Sequence, residues 1–464
     1  MPRASVLVFV LVGCGGGAAP TREAEVASVI ARADEVLTRS RPNLMAGRYS
    51  RMASNAFDYY RGNLALFRHD WELGRTSRSG FVGVEPPVWG LADPHPENFG
   101  VLIAADGTAA LEPNDFDSAD RVPYLFDVRR LVAGLALATR VSNAQVAPSE
   151  VGAAAALSYA TTLIALSAGA VPERVVGPGS SPVTADLFRR SARDLAARAE
   201  LAALTEVTDG VRRFRRGVLD PAEPTQQLGE LPPTVRAALP DALRRLGEGP
   251  AFEVLDAVRE YGSGVASWPR VRMLVLVSGP TSELGDDVIL ELKELPESMV
   301  AGWYRPMLAA VDTPARVEAG ARRAWFRPDA DPRFFATTWL GLPVLIRTES
   351  EAFKNVRVSR LVGDRASRAS LLALAQTQGA LLARVHAASE QETVSAVAAQ
   401  LERGPDVFAD EQGAFAETHS AEVLVDFAHF QAALARLGGT LGITQDPRER
   451  APDDAASLFG DLAP

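Results

Sequence analysis

The stretch Asp127 to Thr139 (D-V-R-R-L-V-A-G-L-A-L-A-T) has helical composition and is nearly apolar around its whole circumference. Such a helix has no face to offer water and must be enclosed by other elements. The chain therefore has to fold into a body deep enough to bury one helix completely. Its 464 residues, 47% hydrophobic and 23% charged, allow two or three domains or one large bilobal one, with ample core. The single cysteine, Cys14, excludes an intramolecular disulfide scaffold. Lys and Arg number 48 against 58 Asp and Glu, a formal charge of −10. That balance suits a phosphate backbone poorly, so no nucleic-acid partner is expected.

Helical spacing recurs over residues 22–40 and 51–70. Between Val82 and Asn114, short apolar runs (Val88–Leu91, Phe99–Ala104, Ala109–Leu111) alternate with Pro, Gly and Asp, the pattern of short strands joined by loops. Residues 150–245 return to helical spacing, broken near 172–182 and 221–233. Arg272–Ser278 and Val288–Leu295 read as strands, Gly341–Arg347 as a third, and 316–325, 366–388 and 421–437 as helices. The expected class is α+β: a helical lobe over 23–250, a strand-rich region over 251–350, and C-terminal helices over 351–464 that complete the helical lobe.

Two loops concentrate the chemistry. Asp93-Pro94-His95-Pro96-Glu97-Asn98 is followed about twenty residues later by Asn114-Asp115-Phe116-Asp117. Loops carrying acids and amides at strand ends can converge on Mg²⁺, which favours oxygen ligands and completes its shell with water and phosphate. An acid left outside that shell can orient an attacking hydroxyl as a base. Asx residues and prolines also build turns, and an Asp can cap a helix, so the same string has a purely architectural reading.

The pattern resembles the catalytic loop of the aminoglycoside phosphotransferase and choline kinase branch of the kinase-like superfamily. Ala92-Asp93-Pro94-His95-Pro96-Glu97-Asn98 matches its Gly-Asp-x-His-x-x-Asn element, with Ala92 replacing Gly. Asp115-Phe116 matches its Asp-Phe/Trp pair, and Asp127-Val-Arg-Arg-Leu131 its Asp-Leu-x-x-Leu helix start. The resemblance implies Asp93 as catalytic base, Asn98, Asp115 and neighbouring Asp117 as metal ligands, and Asp127 as a brace for the loop. His95 joins the catalytic loop as a residue that packs it. The match is closer still to domain of unknown function 2252, through Arg51-Met52-Ala53-Ser54-Asn55-Ala56-Phe57-Asp58-Tyr59-Tyr60-Arg61-Gly62, Asn98-Phe99-Gly100 and Asn114-Asp115-Phe116-Asp117.

In kinase-like folds the strand lobe with its nucleotide lysine precedes the catalytic loop. Here its counterpart follows: Lys293 in Val288-Ile-Leu-Glu-Leu-Lys-Glu-Leu resembles that lysine. Gly379 to Ala387, ending in Ala-Arg-Val-His386-Ala, resembles the helix that ordinarily comes just before the loop. The resemblance therefore implies a circularly permuted, bilobal kinase-like fold. Gly264-Val265-Ala266-Ser267-Trp268-Pro269 takes the place of the glycine-rich nucleotide loop but keeps one glycine of three, and Pro269 lacks an N–H. Gly264 and Ser267 are its remaining nucleotide-side candidates, and Glu318 is the candidate helix acid to pair Lys293.

The N-terminus carries an address. Arg3, the apolar run Val6–Val12 and small Gly13 form a secretory signal over residues 1–13, and Leu11-Val12-Gly13-Cys14 resembles the lipobox of bacterial lipoproteins. The resemblance implies acylation at Cys14, a flexible tether over 14–22, and a place in the cell envelope, at the outer membrane facing the periplasm. Removing Arg3 leaves a side-chain charge of −11. No apolar run beyond residue 13 reaches eighteen residues, so the body is expected to lie outside the bilayer. Three functions follow: an ATP- and Mg²⁺-dependent phosphotransferase acting on a small-molecule or protein acceptor; a catalytically inactive kinase-like binding module, favoured by an ATP-poor periplasm; and a metal-dependent phosphoesterase using Asp93, His95, Asp115 and Asp117.

Overall fold

The computed structural model describes residues 20–444, apart from 82–86, 180, 219–225, 248–251, 282, 301–302, 304–311 and 328–329. Residues 1–19, which include the expected signal segment and Cys14, and residues 445–464 lie outside the described residues. Thr21 caps α1 (Arg22–Ala33), its hydroxyl accepting from the Ala24 N–H. The helix expected over 22–40 is interrupted at Asp34, where α2 (Glu35–Ser40) begins. The one expected over 51–70 is three pieces: α3 (Pro42–Ser54), α4 (Ala56–Gly62) and α5 (Leu64–Glu72). Asn55 and Asn63 impose the breaks, accepting from Asp58 N–H at 2.8 Å and Leu66 N–H at 3.2 Å and so starting a new helix each time.

Then come β1 (Val88–Gly90), the hairpin β2 (Phe99–Ile103) and β3 (Ala109–Pro113), β4 (Asp120–Val122) and α6 (Tyr124–Val141). Every residue of α6 from Tyr124 to Thr139 is buried. Next are α7 (Pro148–Ser167), α8 (Pro182–Ala196) and α9 (Ala199–Leu204). Three strands depart from the expected helix, β5 (Thr205–Thr208) and β6 (Val211–Phe214) as a separate hairpin and then β7 (Gly217–Val218), while β8 (Gln227–Gly229) lies within the expected break over 221–233. Helix α10 (Pro233–Leu243), β9 (Val254–Tyr261), β10 (Arg272–Val277), β11 (Val288–Glu294), α11 (Thr313–Ala324), β12 (Phe335–Trp339), β13 (Leu342–Thr348) and short β14 (Lys354–Asn355) follow. The chain closes with α12 (Arg368–Ala387), α13 (Gln391–Leu401) and α14 (Pro405–Leu437), the last much longer than 421–437.

The class is α+β. One seven-stranded antiparallel sheet runs in the order β12-β13-β11-β10-β9-β8-β7, so the strand-rich part draws on residues well before 251. One sheet face (Ala257, Met273, Val275, Leu290, Leu292, Val344, Ile346) packs under α10 through Val235, Leu239 and Leu243. The opposite face turns charged on the central strands, with Glu260, Arg272, Glu291, Lys293 and Arg347 pointing the same way by strand alternation. Helices α6, α7, α12 and α14 form the main core. Gly379 of α12 lies so close to α7 that a Cβ there would sit 2.1 Å from the Ala155 carbonyl oxygen. Among the described residues α7 is the one helix long and apolar enough to cross a bilayer. Here it is a core helix, burying Val151, Ala155, Tyr159 and Leu163.

Candidate functional site

The loop after β1 is held from beneath by α6. Asp127, fully buried, accepts the Leu91 N–H at 2.7 Å through Oδ2, which also lies 3.2 Å from Nε2 of buried His386 at the end of α12. His386 Nδ1 is in turn 2.8 Å from the Tyr159 hydroxyl. Gly90 leaves room for this contact, because a Cβ there would stand 2.5 Å from Asp127 Oδ2. Ala92, where the related motif has Gly, takes φ +60°, a left-handed conformation that favours glycine.

From there the loop wraps around the Asp93 carbonyl, which accepts from His95 N–H at 2.8 Å and from Asn98 Nδ2 at 2.9 Å. The carboxylate is clamped at one oxygen: Arg130 Nε donates to Asp93 Oδ1 at 2.7 Å. Arg130 itself is fixed by donating to the Tyr60 carbonyl at 2.7 Å and by lying over the Tyr60 ring at 3.6 Å. Burial pushes the Asp93 carboxyl up, and Arg130 opposes that shift. His95 is buried edge-on against Phe57, with Nδ1 unbonded. Burial and the charges of Arg61, Arg130 and Arg357 hold it well below its ordinary pKa, so it is neutral at pH 7. Its ring packs the loop against Phe57.

The β2–β3 hairpin carries the second loop to the first, the Asn114 N–H donating to the Asn98 carbonyl at 3.1 Å. Asp117 N–H donates to Asp115 Oδ1 at 3.2 Å, turning the chain between them. Phe116 anchors this turn against Trp325 and Phe334. Asp117 Oδ2 meets Lys293 Nζ of β11 at 2.7 Å, while Oδ1 is buried and unbonded. Burial and neighbouring Asp115 raise the Asp117 carboxyl, against Lys293 and Arg270.

The lysine's partner is thus a loop aspartate. Glu318 instead pairs with Arg245 at 2.8 Å and with Arg322. The phase of α11 decides this: its buried side carries Arg316, Val317, Gly320 and Ala321. From that side Arg316 donates to the Asp117 and Ala119 carbonyls. The Gly264–Pro269 segment joins β9 to β10. Gly264 takes φ +80°, and a Cβ there would press on Ser267 Oγ at 2.5 Å. Trp268 lies against Gly47 of α3, Val265 against Gly62, and the Pro269 carbonyl accepts from Arg41 at 2.9 Å. The loop is pinned to the helical body.

Among the described residues, no three His, Cys, Asp or Glu side chains converge to hold a metal by themselves. Mg²⁺ commonly takes one or two carboxylates plus phosphate oxygens. Asp115, the unbonded Asp117 Oδ1 and the Asn98 amide are hard oxygen donors that fit it. Sequence reasoning missed Arg130 and Arg270. Two adjacent cations, Arg129 and Arg130, in the mainly apolar α6 were the available signal, since arginine is seldom fully buried without a partner.

The structure defines an α+β protein in which two carboxylate-and-amide loops face a lysine-bearing sheet. The chain belongs to the family described as uncharacterized protein conserved in bacteria (DUF2252), which matches residues 39–433. No curated protein and no solved structure matches it.

Proposed function

We propose that this chain is a kinase-like phosphotransferase of the bacterial envelope, anchored through acylated Cys14, with ATP and Mg²⁺ as cofactors and a hydroxyl on a small molecule or protein as acceptor. The observation that carries the reading is the charge row across the loop–sheet junction: Arg130, Asp93, Asp115, Asp117 and Lys293, each within electrostatic reach of the next. Phosphoryl transfer needs mainly positioning and charge stabilisation, and this row offers both. Asp93, with Oδ1 clamped by Arg130, would accept the acceptor hydroxyl's proton at Oδ2. Asn98, Asp115 and Asp117 would hold Mg²⁺, whose chemistry is to neutralise charge on the transferring group. Lys293 would grip donor phosphates once released from Asp117.

The permuted kinase-like fold has two supports. Lys293 sits on the third strand of β9, β10 and β11, after a loop and before helix α11, which is the kinase order. The end of α12 also abuts the start of the catalytic segment, the Trp89 N–H donating to Ser389 Oγ at 2.8 Å. A binding module without catalysis is the second reading, favoured by the pinning of the Gly264–Pro269 loop. Calorimetry of ATP·Mg²⁺ with the mature chain tests the proposal. Binding lost in Asp115→Ala and Lys293→Ala is expected, and no binding at millimolar nucleotide rejects it.

A further inference from the structure

Four cations crowd the junction of α3 with the sheet: Arg41, Arg48, Arg270 and Lys293. Three have an acid at close range. Arg41 donates to Glu294 at 2.8 and 3.2 Å, Arg48 pairs with Asp34, and Lys293 pairs with Asp117. Arg270 differs. Among the described residues its acidic contact is Glu294 Oε1 at 3.5 Å. That carboxylate is already taken by Arg41 and by the Val271 N–H at 2.8 Å.

The Arg270 side chain is only 18% exposed. Burial lowers its pKa, Arg41 and Arg48 repel it, and Glu294 and Asp117 attract it. A half-buried cation whose one acidic contact among the described residues is long and shared is poorly compensated, and a bound anion would complete its pairing. The position of Arg270 indicates which anion. It directly follows Pro269, the residue that deprives the Gly264–Pro269 loop of a backbone donor, and it shares Asp117 with Lys293 as an electrostatic neighbour.

We propose that Arg270 and Lys293 form an anion site for the phosphoryl groups of a phosphate anhydride, Arg270 supplying the charge that backbone amides of a glycine-rich loop would otherwise supply. The identity of the donor rests on the phosphotransferase reading; anion binding does not. Guanidinium suits this task because its planar fork donates two parallel hydrogen bonds to phosphate oxygens. It also needs no movement of the pinned loop.

The test is calorimetry of inorganic pyrophosphate with Mg²⁺ on the mature chain, together with thermal unfolding without anion. Arg270→Gln is expected to weaken pyrophosphate binding about 10- to 100-fold, and Arg270→Lys to restore part of the loss. Without anion, Arg270→Met is expected to raise the melting temperature, because it removes a half-buried charge whose long carboxylate contact is shared with Arg41 and the Val271 N–H. A merely structural arginine would lower it. Failure of the wild type to bind millimolar pyrophosphate, equal affinity in Arg270→Gln, or a lower melting temperature in Arg270→Met would each overturn the proposal. Binding that depends on Arg270 in a chain that transfers no phosphate would support the anion site while rejecting the phosphotransferase reading.

Discussion

Removing Arg130 isolates what holds the candidate base in place. The guanidinium is 1% exposed and the Asp93 side chain 16%, with 2.7 Å between Nε and Oδ1. Deleting one member of a buried pair leaves the other uncompensated and costs about 3–5 kcal/mol. Arg130→Met nearly keeps the volume but also gives up the donation to the Tyr60 carbonyl, so the Asp93 share is isolated by the coupling in a double-mutant cycle and not by the single variant. Its pH dependence follows. Burial already holds the Asp93 carboxyl above its ordinary value, and without Arg130 it rises further. A carboxyl whose folded pKa is raised favours the fold fully below its unfolded pKa, about 4, and that contribution is lost as pH rises through the folded value. The gap between wild type and Arg130→Met should therefore be small near pH 4 and open toward pH 7. Asp93→Asn in the same chain should close most of it. Urea midpoints for the four chains of this double-mutant cycle, at both pH values, supply the measurement. A coupling below about 1 kcal/mol, in the range of exposed pairs, or a gap independent of pH, would refute the reasoning.

Further expectations are as direct. Ala92→Gly relieves a left-handed alanine, worth about 1–2 kcal/mol, against a buried methyl worth about 0.8 kcal/mol; its melting temperature should equal or slightly exceed wild type, while Ala92→Val should fall clearly below. Gly379→Ala drives a methyl into the Ala155 carbonyl and should destabilise by about 1–3 kcal/mol in urea unfolding. Burial and the Glu291 charge push Glu349 up to about 8, so its stabilising contribution should decline from about pH 4 to about pH 8; Glu349→Gln should match wild type at the low end and exceed it at the high end. Labelled palmitate should enter the wild-type chain in cells and not Cys14→Ser.

The sequence disclosed elements whose two faces differ and loops whose residue types are unusual. Helix α6, the β2–β3 hairpin and strands β10, β11 and β13 were legible on those grounds, as was the convergence of the loops that carry Asp93, Asn98 and Asp115. Strand β9 was not. Its V-L-D-A-V-R-E-Y puts Asp256 and Glu260 on the face of Val258, and Arg259 on the face of Ala257, so no apolar alternation shows. Strands β5 to β7 were hidden in an Ala-, Leu- and Arg-rich stretch whose composition favours helix, and β8 lies in its proline-marked break. Partnerships were less legible than positions. Glu318 and Arg316 are two residues apart on α11 and face different ways, so which one meets the Asp117 loop depended on a helix phase set by packing.

The central claim is that this junction transfers a phosphoryl group, and ADP release from ATP·Mg²⁺ by the mature chain, with water taking the phosphoryl group in place of the acceptor hydroxyl, tests it most directly. A positioned base contributes about 10²- to 10⁴-fold to such a step. Asp93→Asn should therefore cut ADP release at least a hundredfold while still binding ATP·Mg²⁺ in calorimetry. ADP release by the wild type no faster than by Asp93→Asn would contradict the claim and leave a binding module in its place.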